Sequence, residues 1–124
     1  MRRGLFVGIA GWLAATVLFR LFGDMILPGP GPAYVAAMIV GGVLAVAVAL
    51  AAARLFCKPG KSARFAAGVV IPGLFGDAAT TLAFPDVFPA IPAARDALFA
   101  AMMLWGYGLI LAGLILFGDK VVRS

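Results

Sequence analysis

Residues 33–55 read AYVAAMIVGGVLAVAVALAAARL, and between Tyr34 and Arg54 no side chain offers a strong hydrogen-bonding group. A run close to the ~20 residues that cross a bilayer satisfies its backbone there only as a helix. Working outward, three further apolar runs cover residues 4–22, 64–84 and 93–117. They are separated by GDMILPGPGP, by the basic FCKPGKSAR and by PDVFPAIP, whose prolines interrupt any helix. The sequence predicts one all-α domain over residues 1–124. It is an integral membrane four-helix bundle with helices at about 4–22, 33–55, 64–84 and 93–117.

Composition agrees. Of 124 residues, 65% are hydrophobic and 12% charged, which is more apolar surface than a soluble fold of this size can hide. The net charge of +5 is not gathered on one face, which excludes a nucleic-acid partner. Eight of the ten cations (Arg2, Arg3, Arg54, Lys58, Lys61, Arg64, Lys120 and Arg123) lie beside segment ends that alternation puts on one side. The two proline-rich loops hold only Arg95. By the positive-inside rule the bundle runs up-down with both termini cytoplasmic, its cations against anionic lipid heads. Met1-Arg2-Arg3 before an apolar run resembles a signal peptide. No small-x-small cleavage site follows, however, and Arg20 does, so the reading is an uncleaved first helix.

There is one cysteine, Cys57, and neither histidine nor glutamate. No internal disulfide or zinc cluster can be built, and the groups for acid, base and nucleophilic catalysis are nearly absent. The sequence predicts no enzyme and no cofactor, with Cys57 a free thiol at the membrane surface. Asp86 and Asp96 stand near the outer surface, where turn solvation and a helix start account for them.

Packing signals are of two kinds. Ala33, Ala37, Gly41, Ala45, Ala49 and Ala53 recur every fourth residue, a small-residue stripe on which another helix can lie closely. Gly4 and Gly8 make a shorter GxxxG pair. The tetrapeptide LFGD occurs three times, ending at Asp24, Asp77 and Asp119, at places that are not structurally equivalent.

The third segment carries the chemistry. In IPGLFGDAATT, residues 71–81, Pro72 removes a backbone donor, and Pro72, Gly73 and Gly76 predict a kink. Asp77 lies ~20 Å from Arg64 along a helix, inside the hydrocarbon, where a lone carboxylate costs about 3 kcal/mol and must face the bundle interior. Arg20, ~25 Å along the first segment, is the expected counter-charge, against the alternatives of reaching the outer headgroups or Asp24. Tyr107 needs a partner at mid-bilayer, and Asp77, Thr80 or a water can supply one. Thr80 and Thr81 can satisfy backbone groups, and Trp12 and Trp105 can line the same interior.

Several short motifs give a resemblance. Pro72-Gly73 with Asp77, Phe84-Pro85 with Phe88-Pro89, Leu104-Trp105-Gly106-Tyr107-Gly108, and Trp12, Ala15-Thr16 and Phe19-Arg20 resemble an uncharacterised family of small four-helix bacterial membrane proteins. The resemblance implies a multi-pass protein of the bacterial inner membrane and supplies no activity. Two functional expectations follow. In the first, the protein moves a small solute or ion, with Asp77 protonatable and Arg20 beside it. In the second, it is a non-transport accessory protein binding another membrane protein or lipid, with Arg20 and Asp77 as a structural clamp. So small a bundle also predicts a homo-oligomer, a dimer first.

Overall fold

A computed structural model describes residues 2–123; Met1, Ser124 and the Arg123 side chain lie outside the described residues. The chain forms α1 (Arg2–Ile26), α2 (Pro32–Phe56), α3 (Ser62–Leu82), the single turn α4 (Phe84–Val87), a 3-10 turn (Ala93–Arg95) and α5 (Asp96–Arg123). No strand occurs among the described residues. Helices α1, α2, α3 and α5 are each long and apolar enough to cross a membrane, which makes this a multi-pass membrane protein.

Three boundaries differ from those the sequence predicts. Helix α1 runs on to Ile26, because Gly23-Asp24-Met25 contains nothing that stops a helix until Pro28 restricts Leu27. Part of the second proline-rich loop is helical, because Pro85 opens the turn α4 at a position where its missing N–H costs nothing. The last helix starts after the 3-10 turn, with Asp96 Oδ1 accepting from the N–H of Ala97 at 2.7 Å. Asp96 thus has the helix-start role.

The helices pack as a row, α1 on α3, α3 on α5 and α5 on α2, while α1 and α2 barely meet. Contacts advance together along α1 and α3, from Gly4 beside Phe65 through Gly8 beside Val69 to Trp12 beside Gly76, so these two run in the same direction. Between α3 and α5 the contacts run oppositely, with Gly118 beside Ser62 and Gly73 beside Tyr107.

Glycines set the crossings. A Cβ on Gly8 would stand 2.8 Å from the carbonyl oxygen of Gly68. That is the carbonyl left without a helical donor by Pro72, and α1 closes over it. The short GxxxG pair is therefore a real crossing. The alanine stripe of α2 is only partly one. Ala49 and Ala53 are buried, but Gly41 faces open space and Gly42 takes the contact with Trp105 and Leu109. A strict four-residue repeat drifts around a helix of 3.6 residues per turn, so the true face runs through Tyr34, Gly42, Ala49 and Ala53.

At the proline-rich end the rings of Phe19, Phe84, Phe88 and Phe99 form one cluster, with Leu27 sealed beside them. Centroid separations of 4.8 Å for Phe88–Phe99 and 5.5 Å for Phe19–Phe99 are typical of tilted and edge-on aromatic contacts. The loops are thus folded into the structure.

Candidate polar site within the membrane

Gly73, Gly76, Asp77 and Thr80 are spaced i, i+3, i+4 and i+7 and share one face of α3. That face meets α1 on one side and α5 on the other. Asp77 is 8% exposed. Its Oδ1 accepts a hydrogen bond from Trp12 Nε1 of α1 at 3.0 Å, and its Oδ2 accepts one from the hydroxyl of Tyr107 of α5. Thr80 Oγ1 donates to the backbone carbonyl of Asp77 at 3.1 Å, a local bond inside α3. Among the described residues no buried side-chain nitrogen or oxygen lacks a partner.

The glycines make this possible. A Cβ on Gly76 would lie 2.6 Å from Trp12 Nε1, and one on Gly73 would meet the phenol of Tyr107. Both donor rings therefore rest directly on the α3 backbone. Any larger residue would lift a donor off the carboxylate. The two glycines expected to help kink α3 act as seats for the donor rings, and α3 continues as a helix through Pro72.

Arg20 is not part of this group. Its guanidinium points to α4, where Nη1 donates to the carbonyl oxygens of Val87 at 3.0 Å and Asp86 at 3.4 Å. The last carbonyls of a helix have no intrahelical partner, and a one-turn helix has little else, so a cation beside them is doubly favoured. The expected Arg20–Asp77 contact gives way to this one, and neutral donors take the place of the counter-charge. Thr81 is half-buried next to the site and makes no hydrogen bond to Asp77. Trp105 also stands apart, donating from Nε1 to the Met38 carbonyl at 3.1 Å on the α2 side.

Chemically, the arrangement joins three helices at one carboxylate, each oxygen holding a different donor. Indole N–H can only donate, so the Trp12 bond requires an acceptor at Oδ1. A proton added to Asp77 would have to sit on Oδ2 and reverse the Tyr107 bond. Sequence reasoning placed Trp12 in the interior without pairing it to Asp77. The packing of α1 beside α3, which supplies that pairing, is a tertiary fact.

Residues 28–120 match a family of unknown function, DUF5367, and the chain belongs to it. The match takes in Asp77, Thr80 and Tyr107 and begins after α1, so Trp12 and Arg20 lie outside it. No curated protein and no solved structure matches the chain.

Proposed function

We propose that this member of a family without an assigned activity is a non-transport accessory protein of the membrane that binds another membrane protein or lipid. Its Asp77 is the polar joint that fixes the helix arrangement on which such binding depends. One observation supports this reading above others. Both carboxylate oxygens of Asp77 are held by donors from two other helices, and both donors are seated on glycine. A transport carboxylate has to exchange its partners during each cycle, whereas these partners are wedged in place. Losing one donor would strand a buried polar group, which is how a structural joint behaves. Within the same reading, both termini are cytoplasmic, the bundle runs up-down in a bacterial inner membrane, and two copies associate through lipid-facing helices.

The second reading is movement of a small ion or solute with Asp77 as the protonatable group. It is favoured by the Tyr107–Asp77 bond, which couples a second ionisable side chain to the carboxylate inside the membrane. Asp77→Asn distinguishes the two. As an accessory protein, the parent reconstituted in proteoliposomes shows no pH-dependent flux, and the variant unfolds at lower temperature. A pH-dependent flux in the parent that disappears in a folded Asp77→Asn variant would replace the accessory reading with transport.

A further inference from the structure

At the end of the bundle opposite the aromatic cluster, a cleft of about 370 Å³ opens between the start of α1, the end of α2 and the start of α3. Five cations line it: Arg2, Arg3, Lys58, Lys61 and Arg64. No carboxylate is among its lining residues. Arg3 donates from Nη1 to the Phe56 carbonyl at 3.3 Å, which ties α1 to the C-terminus of α2 and fixes one wall. Asp119, the acidic residue of this end, is turned to the backbone N–H of Gly60 at 3.2 Å. The remaining four cations converge on the opening with no ion pair among the described residues.

Below the cations the walls turn apolar. Phe56 and Phe65 form part of the lining, and Leu55, one residue further into α2, is 75% exposed. The cleft also stands over the side of the bundle where α1 and α2 barely touch. Positive charge at the mouth with an apolar gap beneath it is the profile of a phosphate carrying hydrocarbon chains.

We propose that this cleft binds the headgroup of an anionic phospholipid, with the phosphate among Lys58, Lys61, Arg64 and Arg2 and the acyl chains lying along the gap between α1 and α2. Several cations around one phosphate give charge-assisted hydrogen bonds, and the helix-end geometry holds them at the depth of lipid headgroups. A free phosphate would use the same cations but would gain nothing from the apolar gap, so the lipid is the favoured source. The inference names a ligand class for the accessory reading, yet it rests on the cleft alone and not on the Asp77 joint.

The test is native mass spectrometry of the full chain in neutral detergent, titrated separately with phosphatidylglycerol, phosphatidylcholine and inorganic phosphate. The parent retains phosphatidylglycerol over phosphatidylcholine. The paired variant Lys58→Gln/Lys61→Gln lowers that retention about tenfold, as does Arg2→Gln/Arg64→Gln if the first pair expresses poorly. The control pair Arg54→Gln/Lys120→Gln removes the same charge outside the lining and leaves retention unchanged. Equal loss in control and cleft variants would show diffuse surface attraction and overturn the site. Binding of inorganic phosphate as tight as that of the lipid would overturn the lipid assignment. A flux result at Asp77 that sinks the accessory reading leaves the lipid titration untouched, so the two failures are separable.

Discussion

The two ends of this bundle use the same kind of residue in opposite ways. At the proline-rich end, Arg20 and Arg95 both turn onto backbone carbonyls, Arg20 to Val87 and Arg95 to Leu27 at 2.9 Å. The first bond ties α1 to the turn α4 and the second ties the two proline-rich segments together, beside a sealed cluster of phenylalanine rings. At the basic end, Arg2, Lys58, Lys61 and Arg64 stand around an open cleft, and among the described residues only Arg3 is turned to a carbonyl. Unsatisfied carbonyls explain the difference. Where loops are folded into the structure their carbonyls need donors, and arginine supplies them; where helix ends reach the interface, water and lipid do. Cations at a membrane edge are therefore not one class.

That contrast can be broken most severely at the aromatic end. Phe88 is fully buried against Phe84 and Phe99, and Phe88→Ala should destabilise the protein by about 3 kcal/mol, read as a large drop in thermal unfolding temperature in detergent. A loss no larger than that of a surface change would mean the loops are not structurally integral. Next in size is Gly76→Ala, whose methyl group collides with Trp12; it should cost about 2 kcal/mol. Trp12 fluorescence should shift as the indole leaves Asp77, and an unshifted spectrum would contradict the seating.

Arg20→Gln should cost about 1 kcal/mol by removing the donor from the end of α4, whereas Lys58→Gln should change stability by less than about 0.5 kcal/mol. Equal effects at the two positions would erase the distinction between the ends. The smallest effect is chemical. Burial, and then the nearby charge of Asp119, raise the Cys57 thiol above its ordinary range, which keeps it protonated at neutral pH. Maleimide labelling should accordingly be slower in the folded protein than after unfolding, and the gap should narrow as pH rises and thiolate forms in both states.

Much of this architecture is legible in the sequence because the bilayer imposes it. Four apolar runs divided by prolines leave few alternatives to four helices, and 13 residues of helical rise place Asp77 in the interior without a structure. What the sequence does not carry is azimuth and neighbour. Arg20 and Asp77 are at compatible depths, and depth alone pairs them; the competing carbonyls belong to α4, a turn hidden in a proline-rich segment. Gly41 and Gly42 differ by about 100° around α2, and counting by fours selects the one facing open space. Trp12 could be joined to Asp77 only once α1 was known to lie beside α3. In each case the missing information is which helix lies beside which.

Asp77 joins α1, α3 and α5 through two donors, Trp12 and Tyr107. A double-mutant cycle measures this joint most directly, with Trp12→Phe and Asp77→Ala made singly and together and unfolding followed reversibly in mixed detergent. The joint predicts a coupling of about 1 kcal/mol between the two positions, within the range known for hydrogen bonds between membrane helices. Strict additivity, with each change costing the same whether or not the other is present, would contradict it.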